Sequence, residues 1–409
     1  MEPILRFPEF ESEWENKNLE NIVDFAKGKL LGKKDLIDKG RYPCILYGEL
    51  YTKYGPIIND VVSRTDVNKD KLKKGSKNQI LIPSSGETTE DIATASTLNT
   101  NEDVYIGGDL NILTPKEDDG KFISLSLNGV NKRNMAKLAQ GKTVVHLYNN
   151  DLKTLNINLP KKIQEQQKIG EFFSKLDRQI ELEEQKLAKL EEQKKGYMQK
   201  LFSQELRFKD ENGDDYPEWV ETNIRNTFDN KGGTALEKEF DNNGTHKVIS
   251  IGSYSMNSTY NEQNIRINKN EFTEKYLLNE GDLAMVLNDK TKEGNIIGRS
   301  IYIDEDDKYI YNQRTERLIP VTGNNHKFLW YLMNSEQFRK KIKQMMQGAT
   351  QVYINYNSIK DLSIYLPILE EQNKIENFLG DIFNIIKNQS DKVELLKRRK
   401  KGFLQKMFV

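Results

Sequence analysis

The sequence predicts an α+β protein in which two mixed α/β domains are each followed by one long helix. Three observations support this class: two stretches of about forty residues carry an apolar heptad pattern, the chain repeats itself around them, and the intervening segments hold short apolar runs separated by turn residues. We place the first domain at residues 1–160, the first helix at 161–205, the second domain at 206–367 and the second helix at 368–409.

The two helical stretches share one heptad seam. In the first, apolar residues recur at Ile169, Phe173, Leu176, Ile180, Leu187, Leu190, Tyr197 and Leu201, with polar interruptions at Glu183 and Lys194. The series returns with an offset of 206 residues as Ile375, Leu379, Ile382, Ile386, Val393, Leu396, Phe403 and Met407, interrupted at Gln389 and Lys400. Such a seam is typical of a helix that packs along its length on another helix. We therefore predict an intramolecular antiparallel coiled coil with pseudo-two-fold symmetry, about 57 Å long at 1.5 Å per residue.

Each half of the chain also opens with the same short lead-in. Leu5-Arg6-Phe7 precedes Trp14, and Leu206-Arg207-Phe208 precedes Trp219. The second helix stops where the first one continues into this lead-in, so the repeat is circular. This predicts that the two ends of the chain lie close together.

The domains themselves show no sustained helical period. Strands are predicted at Tyr42–Tyr47, Gln79–Pro83, Val104–Ile106, Phe122–Leu127 and Thr143–Leu147, and a short helix at Val130–Gln140 that ends at Gly141. The second half keeps this frame: Gln140-Gly141-Lys142-Thr143 corresponds to Gln347-Gly348-Ala349-Thr350, whereas the middle segments diverge. A duplicated frame with different contents indicates two domains doing the same kind of job on two targets.

Composition narrows the functional class. Sixty-two basic and 62 acidic residues balance, so a nucleic-acid binder of this kind must concentrate its positive charge locally. Cys44 is the only cysteine, which excludes a disulfide framework and a cysteine metal cluster. A leader and a long apolar run are both missing, so we expect a cytoplasmic protein that makes no membrane contact.

No catalytic motif is present in the sequence. The three histidines, His146, His246 and His326, have no metal-ligand spacing. The segment Gly28–Lys34 resembles a phosphate loop, but it is one residue short and has lysine where Ser or Thr should bind magnesium. We interpret it as a loop or a nucleic-acid contact, and the acidic run Asp304–Asp307 as a hairpin turn.

Polar clusters in the diverged segments have the chemistry of DNA contacts. Arg suits guanine, Asn and Gln suit adenine, and Lys, Ser and Thr mostly hold phosphates. The candidates are Ser84, Ser85, Thr88, Thr89, Lys132, Arg133, Asn134, Lys142 and Thr143 in the first domain, and Lys290, Lys292, Asn312, Gln313, Arg314, Arg317 and Thr350 in the second. The alternative for each is an ordinary exposed loop residue. The basic run Lys397–Lys401 likewise has two interpretations: a solvated helix end, or a contact with phosphate or another subunit.

The helix boundaries carry a family resemblance. Leu-Pro, Glu-Gln-Gln-Lys-Ile, Phe-Phe and Leu-Asp occur from Leu159 to Asp177, and Lys-Gly-Tyr-Met-Gln-Lys-Leu-Phe closes the first helix; the second helix repeats most of these letters. The chain thus resembles the specificity subunit of type I restriction-modification enzymes. The second copy departs from the pattern at Asn373 and at Ile382-Phe383, which replaces Leu176-Asp177.

The resemblance implies a non-catalytic subunit whose two target recognition domains read the halves of a split double-stranded DNA sequence. It also implies that the paired helices set the spacer and dock two methyltransferase subunits, which two restriction/translocase subunits then join. No cofactor is expected on this chain, because S-adenosylmethionine belongs to the methyltransferase, and ATP and magnesium to the restriction subunit. The alternative is a coiled-coil scaffold or interaction adaptor without DNA specificity, which would not explain two diverged domains on one frame.

Overall fold

The fold is seen in a computed structural model that describes residues 2–141 and 143–409. The chain divides into two compact units. Unit 1 extends from the start of the chain to Gln185 and includes Ser390–Val409; unit 2 is Lys186–Gln389. Each unit therefore contains one part of each long helix.

Unit 1 contains the first mixed α/β domain. Its strands are β1 (Trp14–Asn18), β2 (Val23–Lys27), β3 (Tyr42–Ile45), β4 (Ile57–Ile58), β5 (Arg64–Thr65), β6 (Lys73–Gly75), β7 (Ile80–Pro83), β8 (Ser85–Gly86), β9 (Ser96–Leu98), β10 (Val104–Ile106), β11 (Leu110–Pro115), β12 (Val145–His146) and β13 (Asn156–Pro160). Its helices are α1 (Leu19–Ile22), α2 (Glu49–Thr52), α3 (Thr89–Ile92), α4 (Gly120–Asn128), α5 (Lys132–Lys137), α6 (Asn149–Leu152) and the first part of α7 (Ile163–Phe202), with 3-10 turns at Lys33–Asp35 and Lys69–Lys71.

Unit 2 contains the second domain. Its strands are β14 (Val220–Asn223), β15 (Phe228–Gly232), β16 (His246–Ile249), β17 (Arg266–Ile267), β18 (Leu283–Val286), β19 (Asn288–Asp289), β20 (Ser300–Tyr302), β21 (Tyr309–Tyr311), β22 (Thr315–Pro320), β23 (Val352–Tyr353) and β24 (Ser363–Leu366). Its helices are α8 (Ile224–Thr227), α9 (His326–Met333), α10 (Glu336–Gln344), α11 (Tyr356–Ile359) and the first part of α12 (Leu369–Lys406), with 3-10 turns at Glu237–Glu239, Ile251–Ser253 and Thr273–Tyr276.

The sheets of the two units follow the same plan. Unit 1 has a sheet ordered β2-β11-β7-β9-β4 and a second ordered β5-β3-β10-β6; unit 2 has β15-β22-β18-β20 and β17-β16-β21. In each unit a parallel pair, β3 with β10 or β16 with β21, lies within the second sheet. Two-stranded pairs complete the plan: β1 with β13 and β8 with β12 in unit 1, and β14 with β24 and β19 with β23 in unit 2. The duplication expected from the sequence is thus present in the strand order.

The repeated Glu at the start of each long helix anchors the lead-in. Glu165 is fully buried and accepts hydrogen bonds from Nε of Arg6 (2.7 Å) and Nε1 of Trp14 (3.2 Å). Glu371 does the same in unit 2, with Nη2 of Arg207 at 2.8 Å and Nε1 of Trp219 at 3.2 Å. Hydrogen bonding to these carboxylates raises the pKa of both guanidinium groups. Because a buried carboxylate needs such partners, Glu, Arg and Trp recur together in the repeat.

The next residue, Gln, joins each long helix to its domain. The Nε2 of Gln166 donates to the carbonyl of Pro160 (3.0 Å), and its Oε1 accepts from the backbone N–H of Asp119 (2.9 Å). Asp119 in turn caps α4 through the backbone N–H of Phe122. Gln372 makes the same two bonds, to Pro367 and Asn325, and Asn325 caps α9. The Glu-Gln pair therefore fixes the angle at which each helix leaves its domain.

The predicted antiparallel pairing of the long helices is confirmed within each unit. In unit 1 the rings of Phe172 and Phe403 are 5.1 Å apart, and Glu184 pairs with Lys397 at 2.6 Å. In unit 2 the rings of Tyr197 and Phe378 are 5.1 Å apart. Residue numbers rise on one helix as they fall on the other. The pseudo-two-fold relation stays a prediction.

The seam positions behave as the heptad pattern requires, with one exception. Every apolar position in the series is buried or half-buried apart from Tyr197, which is 40% exposed. Of the basic run, Lys397 pairs with Glu184, Arg398 with Glu394 and Lys400 with Asp177. Lys397 and Lys400 thus link α12 to α7, whereas Arg398 and Glu394 lie on the same helix.

The two ends of the chain meet, as the circular repeat predicts. The backbone N–H of Leu5 donates to the carbonyl of Lys406 (2.9 Å), and within unit 2 Leu206 donates to Lys200 at 3.1 Å. Phe408 packs against Phe122 with a centroid distance of 5.1 Å, so the end of α12 closes the core of unit 1. The two hydrogen bonds are equivalent in the repeat. The bond from Leu206 joins residues close together in sequence, whereas the bond from Leu5 joins residues near the two opposite ends of the chain.

Several element predictions need correction. The segment Phe122–Leu127 is predicted as a strand but lies in helix α4. Its alternation of apolar residues and serines misled the prediction, because the serines are buried; the hydroxyl of Ser124 lies within hydrogen-bond distance of the carbonyls of Pro56 and Ala95. The predicted helix Val130–Gln140 is only α5, and the predicted strand Thr143–Leu147 is only β12. Predicted strands at Tyr42–Tyr47, Gln79–Pro83 and Val104–Ile106 are confirmed as β3, β7 and β10. Asp304–Asp307 is a turn but not a hairpin, because β20 and β21 pair with different strands.

Candidate nucleic-acid interface

Three chain segments of unit 1 meet at one edge of its sheets. They are Ser84–Thr89, the turn Gly107–Asp109, and residues 143–145. The backbone N–H of Ser84 donates to the carbonyl of Asp109 (2.9 Å), and Leu147 donates to the carbonyl of Ser84 (3.1 Å). Strand β8 pairs with β12, which places the third segment beside the first. We call this region the polar edge of unit 1.

Unit 2 builds its polar edge from the equivalent segments. They are Leu287–Lys292, the turn Asn312–Arg314 and the loop Gly348–Val352. Leu287 donates to the carbonyl of Arg314 (2.8 Å) and Ile354 donates to the carbonyl of Leu287 (2.9 Å), as Ser84 and Leu147 do in unit 1. Strand β19 pairs with β23. The frame of the edge is therefore the same in both units, while the side chains on it differ.

A glycine closes the third segment in each unit. Gly141 and Gly348 have φ of +121° and +103°, and a Cβ on them would lie 2.2 Å from the carbonyl O of Val144 and 2.1 Å from that of Gln351. Backbone bonds between Gln140 and His146, and between Gln347 and Tyr353, close both loops. Only glycine fits this conformation without strain, which explains the repeated Gln-Gly.

The predicted residues of unit 1 are divided between the edge and its support. Ser84 is buried, Ser85 Oγ lies 3.2 Å from Nδ1 of His146, and the Thr88 hydroxyl caps α3 by accepting from the N–H of Asp91. Thr89 bonds to Glu90, and Thr143 is exposed at the loop tip. Lys142 lies outside the described residues.

The other predicted cluster of unit 1 lies on helix α5. Lys132 is half-buried there, while Arg133 and Asn134 are exposed. Helix α5 packs against α3, whose N-cap is Thr88 of the polar edge. The cluster is thus next to the edge rather than on it.

Four of the predicted residues of unit 2 line one cleft of about 350 Å³. They are Lys290, Asn312, Gln313 and Arg314, and Gln351 completes the same cleft. Lys290, Gln313 and Arg314 are exposed. Lys292 and Thr350 are exposed on the first and third segments of the edge. The structure therefore brings together residues that are up to sixty positions apart in sequence.

Two predicted residues of unit 2 are engaged inside the protein. Asn312 is buried; its Oδ1 accepts from the backbone N–H of Leu236 and its Nδ2 donates to Glu237, both at 2.9 Å. The guanidinium of Arg317 forms an ion pair with buried Asp282 at 2.7 Å and donates to the carbonyl of Leu277. We leave Asn312 and Arg317 out of the surface offered to a ligand.

Sequence reasoning missed two acidic residues at the edges. Asp109 is exposed in the turn of unit 1 where unit 2 has Arg314, and Glu237 accepts from the amides of Asn312 and Gln313 at 2.9 Å. The hydrogen bond from Asn312 is the main reason that the pKa of Glu237 is lowered. Asp109 could have been found by aligning the two turns, which have equal length and place it opposite Arg314. Nothing in the sequence indicated that Glu237 contacts the turn.

The fold agrees with the interpretation of Gly28–Lys34 as a loop that is not a phosphate loop. Leu30 and Leu31 both adopt left-handed φ angles, of 52° and 57°, and a 3-10 turn follows them where a phosphate loop needs a helix. Among the described residues no group of His, Cys, Asp and Glu could hold a metal ion. The helices of the described chain include none long and apolar enough to cross a membrane.

Comparison with known proteins identifies the family. The model of the type I restriction modification DNA specificity domain matches residues 11–192 and 216–397. The chain belongs to the type I restriction-modification DNA specificity family. The two matches have the same length, as the duplicated frame requires. The family decides against the adaptor alternative, and this is a non-catalytic DNA-specificity subunit that works with modification and restriction partners.

Relatives of this specificity subunit agree over its full length. The type I restriction enzyme MjaVIII specificity subunit of Methanocaldococcus jannaschii is 26% identical, over 98% of this chain and 92% of that one. The crystal structure of the S subunit from M. genitalium has a TM-score of 0.63 at 16% identity and covers 100% and 99% of the two chains. A chain solved in work on complex assembly and conformational transition of the type I R-M system has a TM-score of 0.59 at 12% identity, covering 98% of both chains. The two structures share the fold.

Proposed function

We propose that the two polar edges read the two halves of a split DNA target. One observation carries this proposal: the same three backbone segments form both edges, while their side chains have diverged. A surface with the same backbone but different side chains in the two units is suited to binding two different DNA sequences. We assign the readers to residues 1–160 and 206–367, and the helices that hold them to 161–205 and 368–409.

Within each edge we divide the residues by chemistry. Arg314 and Gln313 are the base-reading candidates of unit 2, because Arg and Gln have side chains that match base edges in the major groove. Lys290, Lys292 and Thr350 are candidates for phosphate contact. In unit 1, Ser85, Thr88, Thr89 and Thr143 belong to the edge, and Lys132, Arg133 and Asn134 to the helix beside it. Lys142 stays a candidate from the sequence alone.

The paired helices serve assembly and spacing in this proposal. Two methyltransferase subunits dock on them, two restriction/translocase subunits join, and the length of the helices sets the unread spacer. S-adenosylmethionine is held by the methyltransferase, and ATP and magnesium by the restriction subunit. Since the proposed target is double-stranded DNA, we place the complex in the cytoplasm.

Mapping of methylated bases tests the proposal. The chain is expressed with its methyltransferase partner in a host that lacks other methyltransferases, and the genome is sequenced by a method that detects methylation. We expect one motif made of two specific halves and a fixed spacer. Arg314→Ala should weaken one half-site and Arg133→Ala the other, each by about 1–3 kcal/mol if it reads a base.

Matched controls separate reading from general DNA affinity. Arg225→Ala and Arg41→Ala remove arginines that pair with Asp361 and Asp66 away from the edges, and should leave the motif unchanged. Lys292→Ala should reduce binding to all sequences equally and lower the slope of affinity against salt by about one. Methylation without a sequence motif would overturn the proposal.

A further inference from the structure

One carboxylate holds the turn of the unit 2 edge. Oε1 of Glu237 accepts a hydrogen bond from Nδ2 of Asn312 and another from Nε2 of Gln313, each 2.9 Å long. Glu237 begins a 3-10 turn that is remote in sequence from the residues it binds. Its backbone neighbour Leu236 is fully buried, which fixes the position of the carboxylate.

The side-chain amides of Asn312 and Gln313 differ in whether their carbonyl oxygen is free to accept a hydrogen bond from a ligand. Asn312 is buried, and its Oδ1 is taken by the backbone N–H of Leu236. Gln313 is exposed, and within the part of the chain that the structure describes its Oε1 meets no donor. Because Glu237 binds the NH₂ end, Gln313 presents its carbonyl oxygen outward. The exposed amide is thus held as a hydrogen-bond acceptor.

Arg314 stands next to this acceptor in a constrained conformation. Its φ is +72°, a region that few residues other than glycine adopt, and Leu287 donates to its carbonyl at 2.8 Å. The side chain is exposed, and no described residue pairs with its guanidinium. Strain of this kind at an exposed charged residue is typical of functional sites. The turn therefore presents a hydrogen-bond acceptor, Oε1 of Gln313, next to a group of hydrogen-bond donors, the guanidinium of Arg314.

We propose that Glu237 is a positioning residue that sets the sequence read by unit 2: Arg314 reads a guanine, and the outward Oε1 of Gln313 reads a neighbouring base with an exocyclic amine, adenine or cytosine. The inference rests on the proposed function and deepens it. In the major groove guanine offers two acceptors to an arginine fork, while adenine and cytosine each offer an NH₂ donor to an acceptor.

Unit 1 lacks this device at the equivalent place. Its turn is Gly107-Gly108-Asp109, where Gly107 donates to Ile45 as Asn312 donates to Ile249. The 3-10 turn beside it begins with Lys33 instead of Glu237. The substitutions below should therefore change one half-site and leave the other as it is.

The substitution Glu237→Gln tests the inference, with methylation mapped as above. An amide at this position can donate to Gln313, which frees Gln313 to turn its NH₂ outward. We expect the preference for adenine or cytosine at one base to fall by about five- to tenfold, the value of one hydrogen bond. The guanine beside it and the other half-site should be kept. Gln313→Leu, at an exposed position, should relax the same base without affecting the fold.

The matched control is Glu239→Gln in the same 3-10 turn, whose carboxylate meets Asn270 instead of the edge. It should leave the motif unchanged. If the native chain gives a two-part motif that neither Glu237→Gln nor Gln313→Leu alters at a single base, the inference is wrong and the proposed function stands. If the native chain gives no two-part motif, the proposed function itself fails. A motif whose unit 2 half contains no guanine would also overturn the inference.

Discussion

The buried carboxylate at the start of α7 allows a quantitative test of what holds each lead-in to its domain. Its side chain has 0% exposure, and Arg6 supplies two hydrogen bonds to it, at 2.7 and 2.9 Å. In the Arg6→Leu variant, Glu165 keeps only the 3.2 Å bond from Trp14. Removing one partner of a buried ion pair costs about 3–5 kcal/mol, because the remaining charge is left in a medium of low dielectric constant. For a unit of about 200 residues this lowers the melting temperature by about 6–20 °C.

Replacement of the carboxylate instead of the guanidinium distinguishes two costs: leaving a charge buried without a partner, and losing the contact itself. The Arg6 side chain is 12% exposed in the native structure and also donates to the carbonyl of Ser12. In Glu165→Leu it can keep that acceptor and gain water, so we expect a smaller loss, about 1–2 kcal/mol. The double variant should regain most of the loss caused by Arg6→Leu, since it leaves no unpaired charge. Calorimetry of the whole chain measures all three.

An additive result would refute this reasoning. If the double variant is destabilised by the sum of the two single changes, the carboxylate and guanidinium act independently, and their burial is not the source of the cost. Arg207→Leu repeats the experiment in unit 2, where Glu371 is equally buried. Similar losses in both units are expected because the two anchors share their contacts.

Further predictions concern the seam, the edge and the spacer. Lys194→Met should raise the melting temperature of unit 2 slightly. It should also abolish a rise in stability with pH that occurs between the pKa of half-buried Lys194, which desolvation lowers, and its unfolded value of 10.5; titration of melting temperature against pH checks both. Lys400→Met removes the ion pair with Asp177 and should lower stability by up to about 1 kcal/mol, an effect that 1 M salt reduces. Gly348→Ala should weaken methylation at the half-site of unit 2, because the Cβ clashes with the carbonyl of Gln351; unchanged methylation would show that the loop adapts. Insertion of one heptad into each long helix should lengthen the spacer without changing either half-sequence, and a constant spacer in the methylation map would contradict the role we give the helices.

The long helices could be predicted because their information is local. A heptad seam is visible in the order of residues, and its repetition at Ile375 after Ile169 also predicted the partner. The letters Glu-Gln were equally visible, but their role was not, because Glu165 meets Arg6 across 159 residues and Gln166 meets Asp119 across 47. Contacts of this kind depend on the folded path of the chain.

The candidate site was predictable only in part, for a related reason. Polar residues such as Gln313 and Arg314 stood out by type, and the structure brings them to one edge. The same criterion selected Arg317, whose alternation along β22 turns it inward to Asp282. It could not select Glu237, since nothing near this residue in the sequence marks it as a partner of the turn. The type of a residue predicts which contacts its side chain can make. Whether the side chain is free to contact DNA depends on which face of a strand the residue occupies.

One of the two departures of the second helix from the first, Phe383 in place of Asp177, is compensated by a contact within the seam. Lys194 and Lys400 occupy equivalent positions of the repeat. Lys400 pairs with Asp177, whereas the Nζ of Lys194 lies 5.1 Å from the ring of Phe383, the residue that replaces the aspartate. An aromatic ring accommodates both the alkyl chain and the charge of a lysine, so the lysine is kept although its partner changed chemistry. An ion pair responds to salt, and a half-buried ring contact responds much less. The stability of unit 1 and that of unit 2 should therefore differ in salt sensitivity, and equal responses would mean that neither lysine contributes to the helix pairing.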